Sequence, residues 1–447
     1  MNAVCLGIGL CNAFFEMRCI TISNKKIPNV ILRDSDIIIN KMNHPSCVTS
    51  FIRCVNLAIK RNRTKLNVIC NCERKSIFPD ACLPISALIQ NYKRFYDIDF
   101  DVIIDDNKYL QKCCFASPLE PTSMEIKQCR NPLDKIFKYS SKGDNIALVG
   151  DLVQAYIDCI HRTTLCEEGV IAGLIWCVNE VMDNVLVHSK EDCGYIMAQY
   201  HRKKKVLAIC VYDCGIGVFE SLSESKHKPA TEIDAITMAL QEGVGDGKGQ
   251  GNGLYGLYQI VDENGGKLTI TSGKSSIMLK NGVLEKFDNG ALVADSHAGT
   301  IVDFQLDLSR KIDLQSALKS LDGFDGFDIR IDDMWQDDNW LKFDVYKNCS
   351  GTGTRLAGEE LRNDVINILR KTNAPIILDF SSLKACSSSF IDEFIAKLMV
   401  EVGFVEFNRS IRIANMNKTV SHLCERSIAM RMHQSWQELI DDTKNVE

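Results

Sequence analysis

The chain has 447 residues, enough for roughly two to four domains that each bury a core. A composition 45% hydrophobic and 25% charged, with 28 Gly and 9 Pro, excludes disordered, collagen-like and low-complexity classes. A formal net charge of -6 argues against nucleic acid or an anionic membrane as a default partner. The 20 Cys are scattered and several sit in apolar runs, as Cys177 and Cys210 do, which fits reduced thiols in a cytoplasmic protein. The pairs Cys70/Cys72 and Cys113/Cys114 lack a second spaced pair or a His partner, so buried thiols are expected there in place of a structural zinc.

In chain order, the apolar run 1–16 has no basic flank and is too short to span a bilayer; it reads as a strand, a short helix or an extension ahead of a start at Met17. Residues 65–70 (KLNVIC) predict a strand, 79–96 an amphipathic helix and 97–104 a second strand, giving a small N-terminal α/β domain over 1–140. Pro118, Pro121 and Pro132 fall in the polar stretch Ala116–Lys142, which reads as a linker.

A middle segment, 141–315, carries the chemistry. From Glu168 to Ser189 apolar residues recur at helical spacing, and Glu180, Asn184 and His188 stand at i, i+4 and i+8 on one stripe beside the buried face. An amide oxygen suits Mg²⁺, and a carboxylate one turn away can accept a proton. His188 reads as a residue that caps or packs the helix end. Two strands, CGYIMAQY and VLAICVYD, form a hairpin with a basic tip, and the second runs into Asp213-Cys214-Gly215-Ile216-Gly217. There an acceptor carboxylate precedes glycines that permit close backbone approach. Residues 243–256 hold seven glycines and feed a helix start; with Lys248 nearby, its amides would cradle phosphate. Neither a P-loop nor a Rossmann fingerprint fits, because Gly249 follows Lys248 and no strand directly precedes the glycines.

Taken together these signals resemble the GHKL ATPase superfamily, which spans gyrase-like ATPases, Hsp90-type chaperones, histidine kinases and anti-sigma serine kinases. Residues 179–184 resemble its N box, Asp213–Gly217 its DxGxG box, Gly249–Leu254 its GxGxGL box and Gly299–Phe304 its closing strand. The resemblance implies a Bergerat α/β sandwich, a mixed sheet with helices on one face, and a lid over residues 218–248. It implies ATP and Mg²⁺ as cofactors, with Glu180 as general base and Asn184 as the metal ligand. Asp213, Gly215 and Gly217 would hold adenine, and Lys248, Gly249, Gly251, Gly253, Leu254 and Thr300 would line the rest of the nucleotide. The histidine-kinase branch fits less well, since none of the eight His lies in a dimerisation helix of the S/T-H-E pattern.

The acidic run after Asp322-Gly323 leads into a third domain, 325–447, where helix 358–371, strand 375–380, helix 389–403 and strand 410–415 alternate. Asp379–Phe390 and Thr354–Arg362 resemble STAS-like domains, the fold of anti-sigma-factor antagonists, and Ser388 aligns with the serine that a GHKL kinase phosphorylates there. Ser387 departs from that pattern, which usually has Asp, and an N-cap serine cluster is the plainer reading. The overall expectation is an α/β chain with a central ATP-binding domain flanked by two small STAS-like units. It would hydrolyse Mg-ATP as a switch or phosphorylate serine in a STAS-like domain; the alternative is a non-catalytic module in which nucleotide gates protein contacts. Protein partners would dock through the STAS-like domain, and a homo-oligomer is compatible with that.

Overall fold

The structure is a computed structural model that describes residues 28–104, 106–140, 147–190, 193–245, 253–288, 299–318, 328–336 and 338–444. The chain is mixed α/β, and its described strands form three sheets. The apolar run 1–16 and the candidate ligands Lys248, Gly249 and Gly251 lie outside the described residues.

The first sheet runs β1 (Val30–Arg33), β2 (Asp36–Ile39), β3 (Lys65–Cys70), β4 (Asp99–Ile103), with helices α1 (Ser46–Lys60) and α2 (Pro79–Tyr96) as the crossovers between β2, β3 and β4. β1 and β2 form an antiparallel hairpin, while β2, β3 and β4 are parallel. In β3 the alternation of the sequence becomes alternation of burial, with Leu66, Val68 and Cys70 inward. Pro79 opens α2 where no amide donor is needed, and Asp97 in the left-handed region ends it.

The second sheet has seven strands: β5 (Ile136–Ser140), β6 (Cys193–His201), β7 (Val206–Asp213), β8 (Lys267–Ser272), β9 (Ser275–Lys280), β10 (Val283–Phe287) and β11 (Thr300–Asp307), in the order β10-β9-β8-β11-β7-β6-β5. Every neighbouring pair is antiparallel, so the mixed sheet implied by the family resemblance is not what forms. β11 inserts between β7 and β8 and runs against both, which replaces a parallel contact by two antiparallel ones. On one face lie α3 (Leu148–Thr163), α4 (Val170–His188) and α7 (Gly253–Asn264), packing on a core that includes Ile196, Ile209, Val211 and Phe304. The opposite face is covered as well, by α2, over Tyr195, Met197, Tyr212 and Ile301. Burial on both faces is why β6 and β7 read as continuous apolar runs.

The stretch Ala116–Lys142, expected as a linker, is structured over its described residues 116–140. It carries a short helix over Ser123–Lys127, opened by a reciprocal Thr122–Glu125 capping box, and then edge strand β5. Its prolines sit in the connecting turns, and the half-exposed Lys138 and Ser140 on an edge strand hid the buried Ile136, Phe137 and Tyr139.

The third sheet is fully parallel, β12 (Leu341–Asp344), β13 (Ile376–Asp379), β14 (Ile411–Ala414), in chain order. Helix α8 (Arg355–Thr372) joins β12 to β13. Helix α9 (Ser388–Ile391) continues through a π turn over Asp392–Ala396 into α10 (Lys397–Val402), followed by α11 (Phe404–Ser410) and, after β14, by α12 (Lys418–Lys444). Among the described residues one helix, α4, is apolar and long enough to cross a membrane by composition, but 67% of its most apolar window is buried within the fold.

Candidate functional site

Helix α4 presents Glu180 and Asn184 on a half-buried stripe while Val178, Val181, Met182 and Val185 face the core. The start of α7 approaches that stripe. A Cβ built on Gly253 would lie 2.5 Å from Glu180 Oε2 and 3.3 Å from Asn184 Nδ2, so a larger residue here would have to displace the ends of those side chains. Burial pushes the Glu180 carboxyl above its usual range, and the neighbouring Asp183 carboxylate adds to the shift. Leu254, one residue into α7, packs both on the main core and on a small cluster with Leu222, Ala235 and Ala239. That cluster belongs to α5 (Gly217–Ser223) and α6 (Glu232–Ala239), the helices of the segment expected as a lid. α6 is tied to the β8–β9 turn, where Glu232 Oε2 accepts from the Lys274 amide at 2.6 Å.

The turn after β7 is built on the far end of α4. Asp213 is buried at 4% exposure and accepts from the Gly215 amide at 2.8 Å. Gly215 presses on Ser189, the last cap of α4, where a Cβ would lie 2.2 Å from the Ser189 carbonyl, and the Ile216 amide donates to that carbonyl at 3.0 Å. Gly217 has φ +76°, a left-handed conformation that turns the chain into α5. Thr300 stands directly across from Asp213 on β11 and from Ser272 on β8, with the Thr300 and Ser272 hydroxyls 3.4 Å apart. Ser272 also accepts from the Val218 amide at 2.9 Å, fastening the turn to the sheet. A lone serine on a buried strand carried no sequence signal for this role.

These bonds bring Asp213, Gly215, Gly217 and Thr300 together at one end of the sheet, beside the end of α4, and Glu180, Asn184, Gly253 and Leu254 together between α4 and α7. Gly253 leaves open the space beside the Glu180 carboxylate and the Asn184 amide that a Cβ would otherwise fill. His188 is half-buried in the last turn of α4, as a packing residue would be.

A second candidate lies in the third sheet. Asp379, at the end of β13, accepts from the Ser381 amide at 3.0 Å and from Asn415 Nδ2 at 2.9 Å, and pairs with Lys342 at 3.0 Å. The Asn415 bond and its companions hold the Asp379 carboxyl well below the usual carboxylate range. In the following turn Ser387 is the N-cap: its Oγ accepts from the Phe390 amide at 3.1 Å and lies 3.0 Å from the Ser389 hydroxyl. Ser388 occupies the first helical position and is exposed.

Residues 357–421 match the model of a family described as a STAS-like domain of unknown function (DUF4325). This covers α8 to the start of α12, including Asp379 and Ser388. STAS-like domains in general mediate protein–protein contacts. No curated protein matches the chain.

Proposed function

We propose that residues 141–315 form a GHKL-type ATP-binding domain and that the chain is a regulator that transfers phosphate from Mg-ATP to serine of a STAS-like domain. The observation that supports this reading is that two separate segments meet the same helix: the glycine start of α7 lies against Glu180 and Asn184 of α4, and the Asp213–Gly217 turn is built on Ser189 at the end of α4. Asp213 would accept the adenine amine, Asn184 would hold Mg²⁺, and Glu180, made more basic by burial, would accept the proton of the attacking hydroxyl. Bound Mg²⁺ would neutralise charge on the phosphates. Free thiols throughout the described chain suit a reducing cytoplasm.

A second reading, ATP hydrolysis as a conformational switch, is favoured by one feature: the exposed Ser388 lies on a domain that packs against α3, away from Glu180 and Asn184. Incubating the purified chain with γ-labelled Mg-ATP, and measuring free phosphate and labelled protein separately, decides between them. Label on the Ser387–Ser389 peptide supports the kinase; stoichiometric free phosphate with that peptide unmodified supports the switch. Asp213→Asn puts an amide donor where an acceptor is needed and should weaken ATP binding about tenfold or more, at a cost of about 1–3 kcal/mol. Unchanged affinity by calorimetry would remove the adenine assignment.

A further inference from the structure

The face of the seven-stranded sheet that α2 covers holds a buried polar cluster away from the candidate site. Alternation along the strands assigns the faces: Val302, Phe304, Val211 and Leu268 pack with α4 and α7, while Ile301 and Cys210 pack with α2, so Asp303 and Thr269 point to the α2 side. Asp303 of β11 stands directly across from Thr269 of β8 and from Cys210 of β7, which sets the Cβ atoms of neighbours in this row about 5 Å apart. Over the row, the first turn of α2 brings the carboxylate of Asp80, whose charge acts on both Asp303 and Cys210.

Asp303, Asp80 and Thr269 are 1%, 6% and 6% exposed. Gln305 Nε2 donates to Asp303 Oδ1 at 3.2 Å, but Asp303 Oδ2, Asp80 Oδ1 and Thr269 Oγ1 have no hydrogen-bond partner. The Thr269 hydroxyl thus stands across from a carboxylate without bonding it. Lys267, on the same face of β8, acts on both carboxylates and His44 acts on Asp80, yet among the described residues neither carboxylate forms an ion pair. Two carboxylates in a core are costly unless positive charge sits among their oxygens. Buried polar atoms that face one another without bonding are the arrangement found around an ion or a water.

The donors are those of a hard cation. Burial keeps the Cys210 thiol protonated, and no set of three His, Cys, Asp or Glu among the described residues could hold a metal, so a zinc-type centre is not what the cluster builds. Oxygens alone suit calcium or magnesium, and one divalent ion neutralises two carboxylates. Calcium is favoured in a dry core because magnesium gives up its water reluctantly.

We propose that Asp80, Asp303 and Thr269 bind one calcium ion, which pins the start of α2 to β8 and β11 and so fastens the first unit to the central sheet. The site is on the opposite face of the sheet from Glu180 and Asn184 and does not depend on the nucleotide reading.

The test is the melting midpoint of the full chain without nucleotide at pH 8, in CaCl₂ against EDTA with ionic strength matched by NaCl. Calcium at about 100 times its dissociation constant should favour the folded chain about 100-fold and raise the midpoint by several degrees. Asp303→Asn keeps the shape, removes the charge and should lose the rise. Thr269→Val deletes only the hydroxyl and should weaken calcium binding roughly tenfold, which supplies the reading even where Asp303→Asn fails to fold. Asn184→Ala should keep the full rise. A wild-type midpoint that calcium does not move would overturn the site and leave the pair discharged by a proton. An undiminished rise in Asp303→Asn, calcium affinity unchanged in Thr269→Val, or loss of the rise in Asn184→Ala would place the ion elsewhere and overturn it as well.

Discussion

The two end units use related βαβ layouts and attach to the central sheet in opposite ways. In the first unit β2, β3 and β4 are parallel and in chain order, as β12, β13 and β14 are in the last. Yet α2 is shared: one continuous apolar core joins Phe51, Ile85, Leu88 and Phe115 to Tyr195, Met197, Tyr212 and Ile301 of the seven-stranded sheet. The last unit has a core of its own, on which Leu165 of the α3–α4 connection packs, and it meets α3 mainly through amides, carboxylates and guanidinium groups. A shared dry core leaves no folded surface that water can accept on separation, so the first unit and the sheet form one cooperative body. A contact made by polar groups can be exchanged for water at modest net cost, so the last unit is attached to that body as a separable part.

The largest effect should come from the shared core. Tyr212→Ala removes a fully buried ring beneath α2 and should cost about 3–5 kcal/mol, with α2 and the sheet losing amide-exchange protection in one transition. Loss of α2 alone, with the sheet still protected, would break the distinction drawn between the two attachments.

Asn367→Ala should be milder and confined to the other side. It orphans two carbonyls and the Cys166 amide at a cost of about 1–3 kcal/mol, undocking α8 while the core around Phe380, Phe390 and Phe394 keeps its protection. Parallel loss of protection in α2 would show that the STAS-like unit is not separable.

The smallest and sharpest contrast is in pH. His161, buried at the α3–α8 contact and facing Asp328, Asp364, Arg330 and Lys371, has its pKa pushed down by burial to about 4 from 6.5. Its neutral form suits the fold, so its contribution is full above 6.5 and is lost as pH falls toward 4. Asp303 lies between β11 and α2, facing Asp80, Lys267 and Gln305, and burial, with Asp80 adding, raises its pKa from 3.8 to about 7. Its protonated form suits the fold, so its contribution is full below 3.8 and is lost as pH rises through 7. Hydrogen exchange corrected for intrinsic rate should therefore find α8 looser and α2 tighter at pH 5 than at pH 8. Shifts of the same sign in both helices would contradict these two assignments.

Much of the local structure was legible. KLNVIC and residues 79–96 are β3 and α2 as read, because alternation and an N1 proline are local signals. The Ser387 cap was legible for the same reason, since a serine cluster ahead of an apolar helix satisfies its own amides. The linker expectation failed because an edge strand with prolines in its turns has the composition of a loop, and β5 is a strand only by virtue of pairing with β6.

The sequence by itself determined the secondary structure of most long elements, the polar stripe on α4 and the serine cluster that caps the helix after β13, because each depends on side chains within a turn or two. Only the tertiary structure decided that Gly253 lies against Glu180 and Asn184, that β11 inserts between β7 and β8, and that α2 fuses the first unit to the sheet while Asn367 docks the last. Those are contacts between segments far apart in the chain, fixed by which faces bury together and which main-chain groups remain to be bonded, and no local spacing records them.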